Sequence, residues 1–146
     1  MSGLSSGAHS FAVKQTDGGG DASAAATVSW NVDLNAPEAP VLSGRPAART
    51  NSISASISFS GESGASFTCS VDGGAYSACT SPKSLTLLSE GAHSLAVKQT
   101  DLAENLSEAS TASWVVDRTV PLAPVLTRRP ASPSNSSAFA FTGESG

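Results

Sequence analysis

The sequence predicts an all-β protein, an antiparallel β-sandwich of about seven strands, present as one complete repeat with a partial repeat on either side. Three observations support this prediction. Segments 7–17 and 91–101 are identical except that Phe11 stands in place of Leu95. Polar and apolar residues alternate with a period of two in several short segments, and no segment has a helical period. Glycine, aspartate and proline separate those segments at short intervals, as turns do in sandwich proteins.

The repeat has a period of 84 residues, which is the separation between Trp30 and Trp114. A repeat of this kind indicates an array of similar units. Met1 aligns with Leu85, in the middle of a unit, so we expect a segment of a longer tandem array whose signal sequence or anchor lies elsewhere. The parts are a first partial repeat (residues 1–33), a complete central unit (37–117) and a last partial repeat (121–146).

The composition argues against two classes of partner. Charged residues make up 14% of the chain, the net charge is −4, and Arg128-Arg129 is the nearest approach to a basic cluster. A nucleic-acid-binding surface needs a larger basic patch, so no nucleic-acid partner is expected. No apolar run is long enough to span a bilayer, so no membrane insertion is expected.

The first partial repeat contains two strand patterns. Their apolar faces are formed by Phe11 and Val13, then by Val28, Trp30 and Val32. The turn-rich segment 17–21 separates the two patterns, which predicts antiparallel neighbours. Trp30 and its equivalent Trp114 lie on apolar faces and are expected in the core.

Residues 33–42 contain two prolines and no regular period, which indicates a short, stiff connector between units. Residues 117–126 are the same connector one unit later, and Val125-Leu126 is expected to begin the next unit's first strand. Such connectors would limit bending between neighbouring units.

The central unit carries the remaining predicted strands. The clearest is at residues 52–60, where apolar residues alternate with serines, so one face is predicted to be buried and the other solvated. Asp72-Gly73-Gly74 predicts a turn, because glycine adopts positive φ at no steric cost. The other strands are predicted at residues 41–42, 66–71, 76–79, 85–87, 95–97 and 112–116.

Cys69 and Cys79 are the only cysteines, and the predicted hairpin brings them side by side. The competing interpretation is a redox or metal pair, but there is no Cys-x-x-Cys motif and no histidine lies close in sequence to complete a zinc site. We therefore predict a structural disulfide, which contributes about 2–3 kcal/mol for a loop of this size. A disulfide favours an oxidising, extracellular location.

The chain contains no recognisable catalytic constellation. His9 and His93 are the only histidines and occupy equivalent positions, which indicates a structural or surface role. Glu62 and Glu144 are also equivalent and lie in turn segments. Neither a Gly-x-Ser-x-Gly nucleophile motif nor a phosphate-binding glycine loop is present, so we expect no enzymatic activity.

One weak candidate metal site lies at the acidic loop ends. Oxygen atoms of Asp101, Glu104, Asn105 and Asp117 could hold Ca²⁺ at a junction between units. The alternative is that aspartate and asparagine act as turn formers that bind their own backbone. The second interpretation is preferred, so no cofactor is expected unless calcium binds here.

Three motifs resemble the tandem bacterial immunoglobulin-like (Ig-like) repeats of large secreted or cell-surface proteins. They are residues 67–74 with Cys79, residues 91–94 with 97–101, and residues 114–117 with Pro121 and Pro124. The resemblance implies an Ig-like sandwich, export, and service as a stalk, spacer or adhesive module. Such repeats often read Asp-x-Ala-Gly-Asn after the Thr-Asp strand, whereas this chain has Glu104 in place of the glycine, which weakens a transfer of calcium binding.

The leading hypothesis is a non-enzymatic extracellular repeat that sets distance or mediates adhesion, with neighbouring repeats of the same polypeptide as partners. The alternative is a carbohydrate-binding accessory module of a secreted enzyme. That role requires a row of exposed aromatic residues, and Tyr76 is the single one predicted. The partial repeats are expected to be poorly ordered or to pair head-to-tail between molecules, because exposed strand edges invite association.

Overall fold

The structure, a computed structural model, describes residues 3–130, 132, 135 and 137–144. All regular elements in these residues are β-strands, which confirms the all-β prediction. No helix in this part of the chain is long and apolar enough to cross a membrane. The strands are β1 Gly7–Val13, β2 Ala26–Val32, β3 Val41–Ser43, β4 Arg49–Thr50, β5 Ala55–Ser60, β6 Ser66–Val71, β7 Ser77–Cys79, β8 Lys83–Leu85, β9 Gly91–Thr100, β10 Ser110–Val116, β11 Val125–Arg128 and β12 Ala140–Thr142.

Each partial repeat forms a two-stranded antiparallel sheet. In the first, β1 pairs with β2 so that His9 lies opposite Trp30, and this confirms the two predicted neighbouring strands. In the last, β11 pairs with β12 so that Leu126 lies opposite Phe141. Val125 and Leu126 begin β11, as the sequence predicts.

The central unit contains two sheets. One has five strands in the order β4-β10-β9-β6-β7, and the other has three in the order β3-β5-β8. The strands are antiparallel except that β4 runs parallel to β10, so the expectation of a purely antiparallel structure is wrong at that edge. The backbone N–H groups of Val115 and Asp117 donate to the carbonyls of Ala48 and Thr50 at 2.9 and 2.8 Å, which fixes the parallel pair.

Residues from both sheets form one hydrophobic cluster, so the arrangement is sandwich-like. Apolar positions on β3 and β5 face apolar positions on β6, β9 and β10, because alternate residues of a strand point to the same side. The buried members of the cluster are Leu42, Ala55, Ile57, Phe59, Cys69, Leu95, Val97, Ala112, Trp114 and Val116.

Three details of the central unit differ from the sequence prediction. The strand predicted at residues 52–60 begins only at Ala55, and Ile53 is exposed because the serine-rich segment before it forms local turns. Leu87 does not extend β8, since its φ of 57° takes the backbone out of the β region and leaves the side chain exposed. β4 is an additional strand, so the unit has eight strands where about seven were predicted.

The two tryptophans differ in burial although they occupy equivalent positions. Trp114 is 2% exposed, in the core of the central unit, whereas Trp30 is 36% exposed. The prediction of a core position is therefore wrong for Trp30. The reason is that the β3-β5-β8 sheet covers β10 in the central unit, while no second sheet covers β2 among the described residues.

Cys69 and Cys79 form the predicted disulfide between β6 and β7, with their Cα atoms 5.8 Å apart. The disulfide joins diagonal positions of the two strands, because Cys69 lies opposite Ser77 and Cys79 lies opposite Phe67. Cys69 belongs to the buried cluster, so the bond ties the edge strand β7 to the core. A disulfide is compatible with a protein that functions outside the cytoplasm.

Candidate functional site

The connector between the first partial repeat and the central unit is held by hydrogen bonds to both. The backbone N–H of Leu34 donates to Ser6 Oγ at 3.1 Å, on the side of the first partial repeat. The side-chain amide of Asn105, in the β9–β10 loop of the central unit, donates to the Asp33 carbonyl at 3.1 Å. We call this region the junction, meaning residues 33–40 with Ser6, Gln99 and Asn105.

Gln99 anchors the far end of the connector. Its side chain is buried, with Nε2 donating to the Glu38 carbonyl at 2.6 Å and Oε1 accepting from the Glu62 N–H at 2.9 Å. Its backbone N–H donates to Ser107 Oγ at 2.9 Å. A buried side-chain amide that bonds to several groups fixes their relative positions. Breaking any one of these bonds would leave a buried polar group with neither a protein partner nor water to bond to. Pro40 adds a fully buried ring at the end of the connector.

The second connector repeats part of this pattern. The Thr119 N–H donates to Asp117 Oδ1 at 3.1 Å, as the Asn35 N–H donates to Asp33 Oδ1 at 3.0 Å. The Thr119 hydroxyl donates to Glu90 Oε1 at 2.5 Å. Glu90 occupies the position of Ser6 in the repeat, so both connectors are bound by the same residue position of the preceding unit.

The calcium candidates are placed in two separate hydrogen-bonding groups. Asp101 Oδ1 accepts from the N–H groups of Ala103 and Asn105 at 2.8 Å each, and Oδ2 accepts from the Asn105 side chain at 2.9 Å. These bonds, first the one from the Asn105 side chain, lower the pKa of Asp101. Glu104 is exposed with a φ of 69°, while Asp117 Oδ2 pairs with Arg49 at 3.2 Å.

Asp101 makes the contacts of a turn former, since its carboxylate accepts from the backbone of its own loop. The equivalent Asp17 makes the same contacts one repeat earlier, with Oδ1 accepting from the N–H groups of Gly19 and Asp21 at 2.9 Å each. In the described residues, no three or more His, Cys, Asp or Glu side chains are grouped so that they could hold a metal ion. Calcium binding at Asp101, Glu104, Asn105 and Asp117 stays an untested prediction.

His93 lies at the other end of the β9–β10 hairpin. Its Nδ1 is 2.9 Å from Asp72 Oδ2 and its Nε2 is 2.9 Å from the Ser89 carbonyl. Both ring nitrogens therefore face acceptors, and the doubly protonated imidazolium satisfies both. The Ser89 carbonyl and the Asp72 carboxylate raise the pKa of His93 above its ordinary value despite burial.

Asp72 is held in place by the turn that the sequence predicts. Asp72 and Gly73 have φ values of 51° and 74°, and the Gly74 N–H donates to the Val71 carbonyl at 2.9 Å. Burial acts to raise the pKa of Asp72, but the bonds from His93 and from the Ser94 N–H (2.7 Å) outweigh burial and lower it. The pair joins the β6–β7 turn to β9.

We expect the central unit to lose stability as the pH rises above neutrality. Because the pKa of His93 is raised in the folded state, its contribution is fully present below about pH 6.5 and is lost as the pH rises through the folded-state value. Because the pKa of Asp72 is lowered, its contribution is present above about pH 3.8 and is lost at lower pH. Thermal melting at about pH 5.5 and about pH 8.5 should show a Tm lower by a few degrees at the higher pH.

His9→Gln provides the matched control for that measurement. His9 contacts Trp30 as His93 contacts Trp114, with ring centroids 6.0 Å apart in both, but it lies in the first partial repeat. His93→Gln should abolish the step above pH 6.5, and His9→Gln should leave it intact. An unchanged step in His93→Gln would show that another group titrates.

Gly61→Ala is expected to destabilise the junction, although Gly61 itself is exposed to solvent. A Cβ added at Gly61 would overlap the Gln99 amide oxygen and lie 2.7 Å from Gln99 Cδ. The amide would have to leave the Glu38 carbonyl and the Glu62 N–H, at a cost of about 1–3 kcal/mol in the free energy of unfolding. Urea unfolding of the chain measures this loss.

Gly143→Ala is the control, since Gly143 is equivalent to Gly61 in the last partial repeat. A Cβ there would lie 3.9 Å from Pro124 Cβ, which is an ordinary van der Waals contact. We expect its unfolding curve to match that of the unchanged chain. Equal destabilisation by both substitutions would contradict the role given to Gln99.

Sequence reasoning predicted the connector and singled out Asn105, but it missed Ser6 and Gln99 and the hydrogen bonds that hold the junction. The available signal was the pattern of β9, in which Gln99 continues the face formed by Leu95 and Val97 and is repeated as Gln15. A polar residue on a buried face needs buried partners, which marks it as a structural anchor. The partners Glu38 and Asp33 could not be inferred from the sequence, because the contacts join distant residues.

Comparison with known proteins adds no assignment to this description. No model of a known protein family matches the chain, and no curated protein is significantly similar to it.

Proposed function

We propose that the chain is part of a non-enzymatic extracellular repeat protein in which Ig-like sandwich units act as a stalk, a spacer or an adhesive segment. The observation that carries this proposal is the junction. Hydrogen bonds from Asn105 and Gln99 of one unit, and to Ser6 of the preceding one, hold a proline-containing connector at both ends. A spacer requires such fixed joints, because a freely jointed array would not hold its ends apart.

Two further features suit an exposed position outside the cell. The disulfide between Cys69 and Cys79 persists in an oxidising compartment and is rare in a reducing one. The solvent-facing positions of β5 are serines, whose hydroxyl groups keep this surface hydrated without charged side chains. The disulfide also stabilises the small core of the central unit, since small sandwich units bury little apolar surface.

The alternative, a carbohydrate-binding module, has less support. Tyr76 is exposed as predicted, but the Lys98 ammonium lies 5.3 Å from the centre of its ring and occupies one face. The other exposed aromatic residues in the described part of the chain lie on the apolar faces of the partial repeats. They belong to the partial repeats, whereas Tyr76 lies in the β6–β7 turn of the central unit.

The spacer proposal is tested by the orientation of the β1–β2 sheet relative to the central unit. Residual dipolar couplings measured by NMR should fit one common alignment tensor for both parts. Asn105→Ala removes the side-chain bonds to Asp101 Oδ2 and to the Asp33 carbonyl. Loss of the bond to Asp33, worth about 1 kcal/mol, should give β1–β2 a reduced degree of order. Asn31→Ala, at an exposed position on β2, is the control and should keep the common tensor. Independent tensors in the unchanged chain would contradict the proposal.

A further inference from the structure

Among the described residues, two apolar sheet faces are exposed to solvent. On β1 and β2, four side chains of one face are 36–57% exposed; they are Phe11, Val13, Val28 and Trp30. On and beside β11 and β12, the side chains of a second face are 64–73% exposed; they are Leu126, Phe139 and Phe141. We call these the β1–β2 face and the β11–β12 face. Because both are exposed in one molecule, they do not cover each other.

The central unit shows what covers each face. The residues equivalent to the β1–β2 face are Leu95, Val97, Ala112 and Trp114, and those equivalent to the β11–β12 face are Leu42, Ile57 and Phe59. All seven belong to a single buried cluster. The strand register agrees at the start of each pair, since Leu126 lies opposite Phe141 as Leu42 lies opposite Phe59. After Leu126 an irregularity shifts the register of β11 by one residue, a shift that β3 and β5 lack. The two faces are thus the two halves of one sandwich interface.

We infer that the β11–β12 face of one copy of this chain docks onto the β1–β2 face of a second copy. The docked sheets would adopt the arrangement that β3 and β5 adopt against β9 and β10. The described residues of such a pair contain no counterparts of β6, β7 and β8, but three positions carry larger residues than the central unit. These are Phe11 for Leu95, Val28 for Ala112 and Phe139 for Ile57, and their volume helps to fill the space.

The symmetry of this contact differs from that of a simple dimer. Each copy offers one β1–β2 face and one β11–β12 face, so the contact is heterologous and leaves a free face at each end. The assembly therefore grows head-to-tail into chains or closes into rings. This association concerns the chain in solution and does not depend on the spacer role.

Sedimentation analysis of the 146-residue chain between micromolar and millimolar concentration tests the inference. The average mass should rise with concentration beyond that of a dimer. Phe11→Asp blocks the β1–β2 face and Phe141→Asp blocks the β11–β12 face. Each variant alone should associate about thirtyfold or more weakly, as for the loss of a central aromatic anchor, and should stay monomeric at concentrations where the unchanged chain assembles.

An equimolar mixture of the two variants gives the decisive result. Each variant retains the face that the other lacks, so the mixture should form dimers and stop there. Leu102→Ser, which removes an exposed leucine outside both faces, should assemble as the unchanged chain does. The inference is overturned if the unchanged chain stays monomeric, if Phe141→Asp alone still dimerises through paired β1–β2 faces, or if the mixture stays monomeric. The mixture still tests the inference if a substitution unfolds its own hairpin. In each variant the face that docks lies on the other partial repeat, which is unchanged.

Discussion

Leu95→Ala should lower the free energy of unfolding of the central unit by about 2–5 kcal/mol, the range for truncating a leucine in a packed core. Leu95 is 0% exposed and lies between the two sheets in the hydrophobic cluster. For a unit of this size, the loss corresponds to a fall in Tm of about 10–30 °C. Differential scanning calorimetry of the full chain measures both quantities.

Phe11→Ala is the matched control for Leu95→Ala. Phe11 occupies the same position of the repeat, but it is 44% exposed on β1, which no second sheet covers in the part of the chain that the structure describes. The main transition should therefore stay within about 2 °C of that of the unchanged chain when melting is measured in dilute solution. If the two substitutions lower the transition equally, then β1 and β2 belong to the same cooperative unit as β9, and the division into units is wrong.

Reduction of the Cys69–Cys79 disulfide is the second change with a large expected effect. The closed loop between the cysteines spans a sequence separation of 10, and cross-linking a loop of that size stabilises a fold by about 2–3 kcal/mol. Melting in the presence of a reductant should lower the Tm of the central unit by about 10–20 °C. After reduction, the two free thiols stay near the core and form no new contact that would offset the loss of the cross-link.

The double variant Cys69→Ala, Cys79→Ala controls for other actions of the reductant. It should melt at a Tm close to that of the reduced chain and should not respond to reductant. An unchanged Tm of the native chain under reducing conditions would mean that the β6–β7 hairpin melts separately from the core. In that case the disulfide would hold an edge hairpin and would not stabilise the unit.

Repeats and alternation made most of the strands predictable from the sequence. Period-two alternation depends on the geometry of a single strand, so β1, β2, β5, β6, β9 and β10 could be recognised locally. The hydrogen bonds are repeated as closely as the residues: Gln99 N–H donates to Ser107 Oγ at 2.9 Å, and Gln15 N–H donates to Ser23 Oγ at 3.1 Å. The same local sequence therefore forms the same loop with or without a covering sheet.

The features that the sequence did not predict depend on distant residues. β4 has only Arg49 and Thr50, too few for a periodic pattern, and exists because β10 offers a free edge. The exposure of Trp30 depends on whether a second sheet is present, which the pattern of β2 does not contain. Gln99 was visible as a polar residue on a buried face, but its partner Glu38 lies 61 positions earlier in the chain.

We expect residues 37–117 to form a complete unit and the partial repeats to belong to neighbouring units. Thermal melting of a chain that contains only residues 37–117, compared with the full chain in dilute solution, distinguishes this organisation from one in which the partial repeats complete the fold. We expect one cooperative transition with a Tm within about 5 °C of the main transition of the full chain, since only the contacts to residues 33–36 and to the partial repeats are lost. A short chain that fails to melt cooperatively, while the full chain does, would show that the partial repeats complete the fold of the central unit.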